Sequence, residues 1–464
     1  MTHERLHSTW LHSERALPSR FVQPMLRFTQ IESAGGVVML AAAVLALAWA
    51  NSPWGDSYNQ FWGTEFSLEL GAFHFQETLV ELVNDGLMVI FFYVVGLEIK
   101  RELVLGDLRD PKAASLPVLG ALGGMIFPAL LYLLIVGGGE AGRGWGIPMA
   151  TDIAFSVGVL SLMGRRIPVG AKLFLLTLAI VDDIGAILVI AVFYTDQLAF
   201  GWLAMALGGL LLVWLASRAG IRSLAFYIAA SVATWYFLLE SGVHATLAGV
   251  ALGFLTPAFA MYTDEEYQSR ASRLLARQQF DAKAPRAAER LDTDALEMSA
   301  VARESVPPLA RMEHALLPWS SFLVVPVFAL ANAGVDFRGV DIGKAITHPV
   351  ALGVAVGLIV GKTVGISIFS FVAVKLGLAR LPRHTGWAHI VGVAAVAGIG
   401  FTVALFVTAL AFDPGEIADR AKTGIFLGSI IAGVLGTLLL RTRKPRPDPS
   451  APDSDPAPHP SGHH

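Results

Sequence analysis

HPVALGVAVGLIVGKTVGISIFSFVAV, residues 348–374, carries a single charge, Lys362, close to its midpoint. The stretch is long enough to cross a bilayer as a helix, which takes roughly 20 apolar residues. A cation at bilayer depth costs roughly 2.5–3.5 kcal/mol even on the lenient insertion scale, so Lys362 must face protein or water and have an anionic partner. Snorkelling to an interface requires a helix end, and Lys362 is far from both. Gly353, Gly357, Gly361 and Gly365 recur every four residues beside it. Such a smooth face lets a second helix approach closely, so Lys362 is expected inside a tight helix bundle.

Its candidate partners lie in two other apolar stretches. Asp152 sits in IPMATDIAFSVGVLSLM, and Asp182 and Asp183 sit together in LFLLTLAIVDDIGAILVIAVFY. Three acids and a lysine buried in hydrophobic sequence point to ion or proton handling.

The rest of the 464-residue chain agrees, with 54% hydrophobic and 15% charged residues. A soluble globular chain carries about 25% charged residues. Apolar runs near 20 residues recur along the whole length, and they do not alternate as barrel strands do. There is no cysteine, which excludes disulfides and thiol chemistry. The net charge of −3 comes with no basic stripe, so no nucleic acid partner is expected. The first 30 residues are polar, and the hydrophobic segment behind them is too long for a signal peptide and lacks a small-residue cleavage site.

Twelve spans are expected, at 31–50, 78–99, 115–137, 147–163, 171–194, 199–217, 223–239, 243–260, 318–336, 349–374, 387–411 and 421–440. Helices are required because hydrocarbon leaves no partner for free backbone groups. Alternate connections, beginning with the N-terminus, carry 28 Lys and Arg, and the opposite set carries five: Arg143, Arg338, Lys344, Arg420 and Lys422. By the positive-inside rule both termini are cytoplasmic. The organisation is an N-terminal cytoplasmic segment 1–30, spans 1–8 over 31–260, a cytoplasmic connection 261–317, spans 9–12 over 318–441, and a tail 442–464. The Pro- and Asp-rich tail is expected to be disordered. The connection contains helical stretches such as EEYQSRASRLLARQQF, whose heptad-like Leu and Phe suit packing on the protein, a membrane surface or, by default, a solvated helix.

Spans 4 and 11 are irregular. Span 4 opens on Gly146 and Pro148 and carries Thr151-Asp152; span 11 holds AVAGIGFTVALF, where Gly398 and Gly400 bracket a weak point. Interrupted helices in corresponding positions of two halves point to a transporter site built on inverted repeats. Spans 3-4-5 and 10-11-12 would be the two units. Half-helix N-termini meeting at the midplane carry partial positive charge and C-termini partial negative charge. Asp152 is placed to offset the former and Lys362 the latter, so Asp152 reads equally well as a structural charge or as a ligand. Asp182 and Asp183 diverge by about 100° on one helix. They do not grip one ion symmetrically: one can face a cation cavity while the other faces Lys362. A hard monovalent cation takes oxygen ligands, which carboxylates, Thr hydroxyls and freed carbonyls supply.

The strings ATDIAFSVGVLSL, LAIVDDIGAI, SGVHATLAG, FALANAGV, GKTVGIS and AGIGFTVALF resemble those of the NhaA-type bacterial sodium/proton antiporters, in the right order from about Gln30 to Arg441. The resemblance implies an all-α polytopic fold with two discontinuous helices crossing at the midplane. It implies export of Na+ or Li+ against a larger number of protons, electrogenic and switched on at alkaline pH, without a cofactor, in the bacterial inner membrane. It makes Asp182 and Asp183 the ion- and proton-binding core, with Asp183 the favoured cation ligand. Lys362 then pairs with Asp182, and Thr151 and Asp152 sit beside them, Thr151 as a further Na+ ligand.

PH-response positions carry over more loosely. Asp85 in NDGLM, and Glu98 with Glu102 in GLEIKREL, match the cytoplasmic funnel and the end of span 2. Glu313 in RMEHALLPW and His244 in SGVHATLAG complete the set. The bland readings are a solvated ion-pair network for Glu98 and Glu102 and a packed or capping histidine for His244. The loop at about 51–77 would contribute to a homodimer. Among rivals, an intramembrane aspartyl protease needs its aspartates on different helices, a solute symporter needs a larger polar cavity, and a passive channel leaves Lys362 unexplained.

Overall fold

The computed structural model describes residues 34–70, 73–164, 167–195, 198–221, 223–281, 287–338 and 342–441. The expected N-terminal segment 1–30 and the tail 442–464 lie outside the described residues. A helix α1, Ala34–Ala50, leads through a 116° bend into a short α2, Gly55–Trp62. Then come α3 at Leu79–Val104, α4 at Pro111–Val136, a 3-10 segment at Ala141–Met149 and α5 at Ile153–Leu162. They are followed by α6 at Val169–Phe193, α7 at Phe200–Arg218, α8 at Leu224–Glu240 and α9 at Thr246–Leu255. Beyond α10, Asp264–Asp281, and α11, Ala287–Glu304, lie α12 at Pro308–Asn332 and α13 at Pro349–Lys375. The chain closes with α14 at Trp387–Val396, α15 at Phe401–Ala411 and α16 at Glu416–Arg441.

Seven of these helices are long and apolar enough to cross a membrane, and up to ten spans result if each bent pair counts as one. The shorter apolar helices α8 and α9 stand at the two remaining predicted positions. The glycine stripe of α13 does what its spacing implies. A Cβ on Gly365 would enter the backbone of Gly123 on α4, and one on Gly361 would lie 2.7 Å from Pro128 Cα. The two helices therefore touch backbone to backbone, and Lys362 is fully buried beside the contact. A second close pair joins α3 and α9, where Gly96 packs on Val250. Three π-helical turns, Leu82–Leu87, Ser320–Val324 and Gly357–Gly361, interrupt α3, α12 and α13. The third ends directly before Lys362. Such bulges cluster at functional sites.

Residues 51–77 are more than the plain loop expected between the first two spans. They contain α2 and an antiparallel hairpin of β1, Glu65–Leu70, and β2, Phe73–Thr78, in register Glu65↔Thr78 to Leu70↔Phe73. Six-residue alternations give no signal among apolar runs of about 20 residues, so the sequence carries no expectation of a hairpin. Phe75 sits 6.4 Å from the ring of Phe66 and 6.1 Å from Trp235 on α8, so the hairpin rests on the helices. Tyr58 of α2 donates to the carbonyl of Ala331 at 2.8 Å and accepts from the Gly334 amide, fixing α2 to the end of α12. At the other end of the bundle α10 and α11 pair with each other, burying Leu274 and Val301. The part of the connection at 282–286 lies outside the described residues.

Candidate functional site

The site forms where the two irregular spans meet. The 3-10 segment and α5 are bent by 42° across Ala150–Asp152, and α14 and α15 by 48° across 397–400. Pro148 and the extended backbone of Ala150 and Asp152 end the first half-helix. Gly398 is required by close approach, since a Cβ there would collide with the carbonyl of Leu358 on the π turn of α13. The two interruptions are joined by a backbone hydrogen bond, Asp152 N–H to Ile399 O at 2.7 Å. Breaks of this kind leave helix-end groups without intrahelical partners, and the side chains around them supply the rest.

Asp152 serves the N-terminal ends. Its Oδ1 accepts from Phe155 N at 2.9 Å in the first turn of α5. Its Oδ2 accepts from Thr402 N at 3.1 Å and from Thr402 Oγ1 at 2.5 Å in the first turn of α15. One carboxylate therefore bridges both positive helix ends. The opposite poles are served by hydroxyls. Thr151 Oγ1 lies 2.8 Å from Ala397 O, and Ser156 Oγ lies 3.2 Å from Val396 O, both at the C-terminal end of α14.

This departs from the expected role of Lys362 as the direct counter-charge to those carbonyls. Its Nζ donates instead to Asp182 Oδ2 at 2.5 Å and to Thr151 Oγ1 at 3.0 Å. Lysine and Asp182 side chains are both 0% exposed. Thr151 Oγ1 is also 2.7 Å from Asp182 Oδ2, and its single proton must choose between that oxygen and Ala397 O. The other oxygen of Asp182, Oδ1, is buried without a partner. Asp183, next along α6 and only 6% exposed, accepts no hydrogen bond among the described residues. Its surroundings are electrostatically crowded, with Asp182, Glu98 and Asp152 acting on it against Lys362. The two adjacent aspartates thus diverge as helix geometry requires.

Of the remaining sequence candidates, Glu98 acts on Asp183 and the others separate along the molecule. Glu98 is half-buried on α3; Arg101, a turn onward, pairs with Glu313 of α12 and lies 3.6 Å from Glu102. Lys100 donates to the carbonyls of Phe254 and Thr256, closing the C-terminus of α9. Asp85 is the correction. It lies on the π turn at the opposite end of α3 from Glu98 and Glu102, beside the hairpin, where its carbonyl accepts from Trp235 Nε1 at 2.6 Å. A helix rises about 1.5 Å per residue, so the 13 positions from Asp85 to Glu98 carry them to different ends of the bundle. His244 is at that same end, its Nε2 2.7 Å from the Tyr194 carbonyl. The Tyr194 hydroxyl in turn holds Arg143 O and Gly146 N at the start of the broken span.

Two residues of the crossing, Ser156 and Thr402, do not stand out in the sequence as site residues. A serine in an apolar helix gives no signal of its own. Thr402 could have been found as the capping residue that a second half-helix N-terminus requires.

Known proteins resemble this chain along most of its length. A family model described as "Na+/H+ antiporter 1" matches residues 26–440. The chain is 46% identical over 440 residues to "Na(+)/H(+) antiporter NhaA 2" of Sorangium cellulosum, covering 93% of each chain. It is 44% identical to "Na(+)/H(+) antiporter NhaA" of Koribacter versatilis, over 93% of this chain and 94% of that one. Against "Na(+)/H(+) antiporter NhaA 3" of Frankia alni the identity is 47%, over 90% and 89%.

Proposed function

This chain belongs to the Na+/H+ antiporter 1 family, transporters rather than enzymes, and from that premise we propose an electrogenic exchanger. It exports Na+ or Li+ and takes up a larger number of protons, and it is switched on at alkaline pH. It works in the bacterial inner membrane with both termini cytoplasmic. The observation that carries the reading is the division of labour on α6: Asp182 is bound to a fully buried lysine, while Asp183 beside it accepts no hydrogen bond among the described residues.

Asp183 is the carboxylate ready for a cation. Asp182 Oδ1, also without a partner, and the Thr151 hydroxyl stand as further oxygen ligands. Among the described residues no three His, Cys, Asp or Glu gather as a metal cage. Backbone and hydroxyl oxygens at the helix crossing must therefore complete the shell, which suits a weakly held monovalent ion. A cation at Asp183 that also draws on Asp182 Oδ1 loosens the pair with Lys362, so Asp183 and Lys362 each give up a proton as the ion binds and each take one up as it leaves. Two protons thus exchange for one cation, and a cycle moves net charge. The helices around the crossing provide two rigid bodies that alternate access to it. A homodimer through residues 51–77 belongs to the same reading; exposed Trp54, Phe66 and Leu68 there suit contact with a second copy.

The test uses inside-out vesicles from antiporter-deficient cells, energised to an acid interior and followed with a pH-sensitive dye. Adding sodium is expected to alkalinise the interior, and Asp183→Asn is expected to abolish the response. Folded protein that answers neither sodium, lithium nor potassium from about pH 6.5, the unperturbed His value, up to about pH 9, would sink the antiport reading.

A further inference from the structure

Asp152 and Asp183 are both buried carboxylates at the crossing, yet their lone pairs are disposed oppositely. Asp152 is engaged by three donors, and Asp183 by none among the described residues. Two of the donors to Asp152, the amides of Phe155 and Thr402, are fixed by the first turns of α5 and α15. The third is a side chain, the hydroxyl of Thr402, which is 4% exposed. It shares Oδ2 with its own backbone amide, so a single residue of α15 occupies one whole oxygen of Asp152. A carboxylate oxygen accepting two hydrogen bonds, one from a hydroxyl at 2.5 Å, offers little to a cation.

We propose that Thr402 is a positioning residue for cation exchange: its hydroxyl holds the Asp152 carboxylate across the two half-helix ends and keeps it off the ion, leaving Asp183 as the uncommitted acid. The inference rests on the antiport reading and adds a determinant of cation affinity to it. Thr402 touches no ion itself. Its work is to keep the number of available carboxylates low enough that sodium leaves as readily as it enters, which a transport cycle requires. Charge count and site rigidity set cation affinity in oxygen-ligand sites, so a second freed carboxylate would hold the ion too tightly.

Thr402→Val keeps the branched shape and deletes the donor. The apparent KM for Na+ in the vesicle assay is expected to fall about tenfold, the factor that 1.4 kcal/mol represents, with the maximal rate reduced as release slows. Thr402→Ser, which retains the hydroxyl, is expected to keep the original KM. A merely structural role has the opposite signature, because a loosened crossing raises KM as it lowers the rate. Thr402→Ala gives the same sign as the valine variant and serves if the latter does not fold. An unchanged or raised KM in the donor-less variants, or a serine variant that behaves like them, overturns the proposal. If the unsubstituted protein shows no sodium response, the antiport reading itself has failed. If it responds and the donor-less variants match it, this inference alone has failed.

Discussion

Lys362 of α13 and Asp182 of α6 meet as an ion pair inside the bundle. Both side chains are wholly out of water, and the pair is sealed by the Thr151 hydroxyl at 3.0 Å from the lysine. Desolvating two charges offsets most of what their attraction returns, so such a pair is weak as a stabiliser, while stranding one partner costs about 3–5 kcal/mol. Lys362→Met alone is therefore expected to lower the thermal unfolding midpoint of the purified protein markedly. Asp182→Asn combined with Lys362→Met should recover most of the loss. A double variant as unstable as the single one would mean that the pair holds the bundle together by its charges, contrary to this account. That Lys362 needs an acid was legible from its place in an apolar run. Which acid it takes was implied by family resemblance; the side-chain geometry fixes it, because the choice depends on the rotation of α6 against α13.

Among the elements, the hairpin and the first turn of α3 carry a pH dependence of their own. Burial and the neighbouring charge of Glu81 push the Glu77 carboxyl from an ordinary 4.5 up to about 7, with Asp85 and Glu240 adding to the effect. Thr78 and Glu81 form a reciprocal capping box at this junction, and Glu65 across the hairpin is engaged by Gln76 at 3.0 Å. A carboxyl whose docked form holds its proton more tightly than the free form stabilises docking at low pH. The stabilisation is full below about pH 4.5, declines as pH climbs and is gone above about 7. Amide protection over 65–78, corrected for intrinsic exchange rates, is expected to drop several-fold, roughly threefold to tenfold, between pH 5 and pH 8. Glu77→Gln should flatten the dependence, and protection that varies equally in both proteins would assign it elsewhere. The helical elements were legible because a span is a property of local composition. The hairpin was not, since its two strands are short and their pairing depends on a turn and on the Phe75–Trp235 contact with α8.

For the whole molecule, the 28-to-5 partition of basic residues between alternate connections predicts the orientation. By that count α2 and the hairpin belong to the sparsely basic side and α10 and α11 to the other. The absence of cysteine makes the test clean. Ser57→Cys on α2 is expected to react with a membrane-impermeant maleimide in intact cells, and Ala219→Cys between α7 and α8 only in inside-out vesicles. The reverse pattern would invert the topology and with it the assigned direction of export.

Sequence alone determined that this chain is a bundle of membrane helices, that spans 4 and 11 are interrupted, and that buried Lys362 needs an acid. Each of these follows from a local property: the length of an apolar run, the spacing of glycines, or the cost of one charge in hydrocarbon. Only the tertiary structure decided that Asp152 is taken up by two helix ends through Phe155 and Thr402, and that Asp85 stands at the opposite end from Glu98. It also left Asp183, though buried, without a hydrogen bond among the described residues. These are matters of which residues meet across 250 positions of chain, Asp152 and Thr402 among them. The crossing of two broken helices sets those meetings, and no local pattern encodes them.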